Sequence, residues 1–185
     1  MKAIFPFDEL NAFRLNLSLH FENGRIRSRE DCEDIIDELL DLFLLAYASG
    51  VDSVNGQFGT DIEPDAEEIY DTIYQKIDGA TWEDRVWTWY GEGGTEADIV
   101  RIAETEAHRD GNTAAYRTAV RAGATEKTWI CQMLPTSRDT HIYLNGTTVD
   151  IESEFYTFMG NHAMFPGQFG VAEEDVNCLC ELEFK

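Results

Sequence analysis

A chain of 185 residues, 43% hydrophobic and 12% aromatic, can bury a core, which excludes disorder and leaves room for one large domain or two small ones. Its 36 acidic against 14 basic residues give a formal net charge of −22. That balance argues against direct nucleic-acid binding, because phosphate contacts need lysine and arginine to displace counterions.

Residues 1–27 read as an N-terminal extension. Met1–Phe7 is short and punctuated by Pro6, so no signal peptide is expected. Phe13, Leu15, Leu17 and Leu19 alternate with polar residues, the period of a strand. Asn23-Gly24 then turns the chain into Arg25-Ile26-Arg27, so a hairpin is predicted. Arg14, Arg25, Arg27 and Arg29 make this the one locally basic stretch.

Residues 28–124 read as a helical region. Ser28 is the expected N-cap of a helix whose apolar face runs through Cys32, Ile35, Leu39, Leu40, Phe43 and Tyr47. Ser49-Gly50 is its expected end, and Val51–Glu63 a loop. The run Leu42–Ala48 is too short to cross a bilayer. Pro64 opens a second helix closed at Gly79. Thr81 and Asp84 form a capping box for a third, carrying Trp82, Val86, Trp87 and Trp89. Thr95, with Asp98 at N3, caps a fourth that stops at Gly123 and that Gly111 kinks or splits.

Residues 125–185 read as a β-rich module: a strand over Thr128–Leu134, a turn at Pro135-Thr136-Ser137, and a hairpin around Asn145-Gly146. An aromatic segment Phe155–Phe158, a turn at Phe165-Pro166-Gly167, and a last strand carrying Asn177-Cys178-Leu179-Cys180 follow. The fold class expected is α+β, a bundle of about four helices with a small C-terminal β-rich subdomain packed on it.

Two constellations could carry chemistry. On the fourth helix, Glu104-Thr105-Glu106 invites comparison with the Glu-x-Glu of ADP-ribosyltransferases, but it falls mid-helix, where that motif does not sit. Glu106 shares the inward face with Ile99, Ile102 and Ala103, and a buried carboxylate needs a donor; Arg138 or His141 is the expected one. His141, Cys178, Cys180 and Cys131 have the ligand chemistry of zinc at a poor spacing. The expectation is therefore packed, reduced thiols in a cytoplasm and no cofactor, with zinc as the alternative. A Cys178–His141 pair has no accompanying oxyanion motif, no glycine-rich phosphate loop or Gly-x-Ser-x-Gly is present, and no enzymatic activity is expected, with a metal-dependent enzyme built on the cysteine constellation as the alternative.

Six motifs stand in one order: Lys127-Thr128-Trp129, Arg138-Asp139-Thr140-His141, the Leu144-x-Gly146 turn, Phe155-Tyr156, Pro166-Gly167 and Asn177-Cys178-x-Cys180. In that order they resemble the phage head-morphogenesis proteins of the Mu F-like class. Thr105, Glu106 and Asn112 match that class on the fourth helix, as does the Leu44–Gly50 helix ending. Two departures remove charge: Pro135-Thr136-Ser137 replaces an acidic turn, and Leu179 replaces an arginine or lysine between the cysteines. The resemblance implies a structural minor head protein of a tailed phage or prophage. Such a protein works in the bacterial host cytoplasm during assembly and then in the virion head. Its partners would be portal or capsid proteins, with no direct nucleic acid and no membrane, and a chain of this length would be a short form or a divergent relative. The charge alone equally suits an acidic module that mimics DNA and inhibits a protein with a basic surface.

Overall fold

The computed structural model describes residues 7–185. Five helices precede the sheet: α1 (Phe7–Leu17), α2 (Arg29–Phe58), α3 (Ala66–Ile73), α4 (Trp82–Glu92) and α5 (Glu96–Arg121). Two short strands, β1 (Phe21–Glu22) and β2 (Arg25–Ile26), pair between α1 and α2. Next come β3 (Glu126–Ile130), α6 (Asp139–Leu144), β4 (Thr148–Asp150), β5 (Phe155–Tyr156), β6 (His162–Ala163), α7 (Ala172–Asp175) and β7 (Glu181–Phe184). The fold is α+β, with the larger sheet in the C-terminal third.

The N-terminal strand is a helix instead. Leu10, Phe13 and Leu17 are buried at helical spacing, while Leu15 and Leu19 are 77% and 65% exposed. The apparent alternation came from two leucines that face solvent. The turn holds, with Asn23 and Gly24 at φ 53° and 77° joining β1 to β2. Three of the four arginines of the basic stretch are ion-paired, Arg14 with Glu104, Arg27 with Asp31 and Arg29 with Glu33, while Arg25 packs against Gly93.

Helix α2 begins as expected, with Ser28 Oγ accepting from the Asp31 amide at 3.0 Å. It does not stop at Ser49-Gly50 and runs to Phe58, so the loop predicted from Val51 is helical for two more turns. Gly50 is the closest point of α2 to α5. A Cβ there would collide with the Gly111 carbonyl oxygen and lie 3.1 Å from Ala114 Cβ. Glycine here admits another helix, and Gly111 likewise leaves α5 unbroken from Glu96 to Arg121. Both capping boxes form, at Thr81/Asp84 and Thr95/Asp98.

Helix α5 passes through both cores. Its first half packs Ile99, Ile102, Ala103 and Ala107 against Ile35, Leu39 and Phe43 of α2 and Trp82 and Val86 of α4. Its second half packs Ala115 and Ala119 with Val54 of α2 against Trp129, Leu144, Phe155, Leu182 and Phe184. The sheet is antiparallel in the order β4-β3-β7, with Trp129 opposite Leu182 and Thr128 opposite Thr148. Strand β3 ends at Ile130, well short of Leu134, as the backbone turns left-handed at Met133 (φ 52°). The predicted Asn145-Gly146 hairpin is a turn out of helix α6. Asn145 (φ −55°, ψ 124°) and Gly146 (φ 78°) have type II geometry, and the Asn145 side chain accepts from the Cys131 amide at 2.9 Å. Among the described residues, no helix is long and apolar enough to cross a membrane.

Candidate functional site

The residues singled out in the sequence meet where α5, α6 and the run before β7 come together. His141 sits on α6, whose N-cap is Arg138, and the Arg138 guanidinium donates to the Val176 carbonyl. Cys178 and Cys180 precede β7 rather than lying on a strand. Asn177, at φ 56°, turns the chain and donates its amide to Thr105 Oγ1 at 3.3 Å. Asn112 on α5 donates to the carbonyl oxygens of His108 (3.0 Å) and Cys180 (3.1 Å), and His108 Nε2 lies 3.0 Å from that same Cys180 oxygen. These contacts hold the cysteine run against α5.

The result is a closed cluster. His141 Nδ1 lies 3.5 Å from Cys178 Sγ and 3.4 Å from Cys180 Sγ, and all three residues are at most 3% exposed. On its other side the ring is 3.2 Å from Glu174 through Nε2. Glu174, itself buried, accepts from Thr140 Oγ1 at 2.7 Å and from Asn161 Nδ2 at 3.0 Å. Trp129 and Phe169 wall the imidazole, each with its ring centre 5.6 Å away. Cys131 is buried nearby and lines, with His141 and Cys180, a cavity of about 30 Å³. Contact with Cys180 and with the imidazole holds the Cys178 thiol well below the usual thiol range, while contact with Cys178 and burial push Cys180 up.

A second polar cluster lies one helix turn away. Glu106 does not reach Arg138 or His141 as expected. It pairs with Arg85 of α4 and, at 2.5 Å, with Arg109 of its own helix. Arg138 and His141 are engaged with Val176 and Glu174 instead. Arg109 also meets Asp110 at 3.2 Å, and burial raises the Asp110 carboxyl to about 7 despite that partner. Gly167, at φ 87°, lets its backbone lie on this pair, with a Cβ position 3.2 Å from Arg109 Cβ. Pro166 beside it is buried.

Thus Thr105, Asn112, Trp129, Arg138, His141, Asn177, Cys178 and Cys180 form one constellation, with Glu106 and Gly167 joined to it through Arg109. Asp139 and Gly146 stand apart, exposed at the start of α6 and in the turn after it. Sequence reading missed Glu174, one of three consecutive acidic residues, and Arg85, on a different helix. It named Lys127 in the first motif but not its burial: the side chain is fully buried on β3, with its ammonium 4.6 Å above the Tyr116 ring.

No family model matches the chain, and no solved structure matches it with significance. The chain is similar to the NAD(+)--arginine ADP-ribosyltransferase EFV of Enterococcus faecalis (strain ATCC 700802 / V583), 41% identical over 99 residues. The match covers 50% of this chain and 20% of that protein, so four-fifths of the relative lies outside it. This finding overturns the expectation of no enzymatic activity, since a protein this similar over half the chain is named for an enzyme.

Proposed function

We propose that the chain is a structural minor head protein of a tailed phage or prophage, acting in capsid assembly at the portal or inner capsid. One observation carries the reading. Most motif residues between Thr105 and Cys180, singled out by their order along the chain, gather where α5, α6 and the run before β7 meet, while Asp139, Gly146 and Tyr156 lie exposed. A set of residues that packs together as a unit supports the resemblance that selected it. The net charge of −22 suits a protein that works beside packaged DNA without adhering to it.

The test is co-purification of the tagged full chain with the portal and major capsid proteins of a tailed phage at physiological salt, against an unrelated basic protein of equal charge. Retention of the portal or capsid protein alone is expected. Equal retention of the basic control would replace the assembly role with that of an acidic mimic, and retention of nothing would end it.

The similarity to the enterococcal enzyme favours a second reading, in which the chain takes part in ADP-ribosyl transfer from NAD(+) to arginine. Thr105 and Glu106 line a groove of about 220 Å³ together with Arg85, Trp89, Arg101 and Asp175. Glu104 is paired with Arg14, and Glu106 with Arg85 and Arg109, so transfer would require one carboxylate to be released. Nicotinamide release from NAD(+) with agmatine as acceptor, lost in Glu106→Gln while its circular dichroism spectrum is retained, would support this reading. Absence of release in the parent chain would remove it.

A further inference from the structure

The geometry points to a binding site for a thiophilic divalent cation, zinc above all, formed by His141 Nδ1, Cys178 Sγ and Cys180 Sγ. The inference does not depend on either reading above. The three donor atoms lie within 4.8 Å of one another. Tetrahedral coordination, with zinc–sulfur bonds of about 2.3 Å and zinc–nitrogen bonds of about 2.0–2.1 Å, sets sulfur and nitrogen roughly 3.5 Å apart. The observed separations are 3.5 and 3.4 Å. Both sulfur–nitrogen separations therefore fit a shared ion.

The hydrogen-bond count points the same way. An imidazole nitrogen carries one lone pair, so Nδ1 can accept from one thiol only. Both thiols converge on it beside Trp129 and Phe169, so the second thiol is left to the neighbouring sulfur, a weak acceptor. A cation uses all three atoms at once, each thiol giving up its proton as it becomes a ligand.

Glu174 supplies the third argument. Metal-binding histidines usually present their distal nitrogen to a carboxylate, which fixes the ring and strengthens the proximal nitrogen as a donor. Nε2 of His141 lies 3.2 Å from Glu174, a carboxylate itself held by Thr140 and Asn161. Two of the donors, His141 and Cys180, also line the cavity of about 30 Å³ beside Cys131, a volume suited to one water molecule as a fourth ligand. The spacing argument against zinc weighed Cys-x-Cys by itself. In the fold, the left-handed turn at Asn177 and the Asn112 tether on Cys180 bring the sulfurs to a histidine 37 and 39 residues away.

The test is cobalt(II) titration of the reduced full-length chain, followed by elemental analysis of protein purified without chelator. Expected are one equivalent of metal per chain and a tetrahedral absorption spectrum whose sulfur-to-metal band has the intensity of two thiolates. Cys131→Ala should leave that band unchanged, and Cys178→Ser should cut it by about half. Glu174→Gln should weaken zinc about 10–100-fold in competition with a chelating dye while keeping the two-thiolate band. That outcome would make Glu174 a positioning residue. An octahedral cobalt spectrum in the parent chain would overturn the site. So would a Cys178–Cys180 disulfide that persists under reducing conditions, or a band carried by Cys131.

Discussion

Lys127 is the residue whose environment most opposes its chemistry. It occupies an inward position of β3, between the Tyr116 and Phe155 rings, with its ammonium 4.6 and 5.5 Å from their centres. Burial lowers it from 10.5 to about 8, with Glu154 opposing. The folded chain therefore binds fewer protons than the unfolded chain between pH 8 and 10.5, and stability rises with pH across that window. Below pH 8 the full cost of burying the charge applies. Lys127→Met should raise stability at pH 7 by about 1–3 kcal/mol, and the advantage should shrink from pH 8 to 10.5. Chemical denaturation of both proteins across that range checks this, and a constant difference would refute it. No sequence pattern announces a buried lysine, since an alternating strand places lysine on its wet face. Glu106 was half legible. Its spacing from Ile99, Ile102 and Ala103 gives the inward face, and the i+3 spacing to Arg109 offered a partner on the same helix. Its other partner, Arg85, depends on where α4 comes to lie.

At the scale of elements, α2 carries a test with two signs. Gly50 and Gly56 lie in the same helix, and only Gly50 meets α5. Gly56→Ala, with nothing within 4 Å of the new methyl group, should stabilise by about 1 kcal/mol through helix propensity. Gly50→Ala receives the same propensity gain but drives a methyl group into the Gly111 carbonyl, and should destabilise by about 2 kcal/mol net. Thermal melts of the two variants decide it, and equal shifts would mean α2 and α5 are not in backbone contact. The contrast explains what the sequence revealed. Caps at Ser28, Thr81 and Thr95 are local, completed within three residues, and could be read directly. A glycine that ends a helix and one that admits a neighbouring helix look the same until that neighbour is placed. The α1 misreading has a related cause, because Leu15 and Leu19 are apolar without being buried.

The whole molecule carries a net charge of −22, and three of the four arginines of its basic N-terminal stretch are paired with its own carboxylates. Duplex DNA should therefore remain unbound at micromolar chain and physiological salt in a gel-shift assay. Sub-micromolar binding would show that those ion pairs open to release a basic surface. The six-motif order was legible as a pattern, while its meaning as a single joint was not, because Thr105 and Asn177 lie 72 residues apart in the chain.

Helix α5 buries ten consecutive residues, Glu106 to Ala115, around its whole circumference. It is a shared axle rather than a wall, since its two halves complete different cores. Neither core can open while the other stays closed without stripping one end of the same rod. The molecule should therefore lose its helical bundle and its sheet in one cooperative step, with the slowest backbone-amide exchange at the middle of α5, where no local fluctuation admits water.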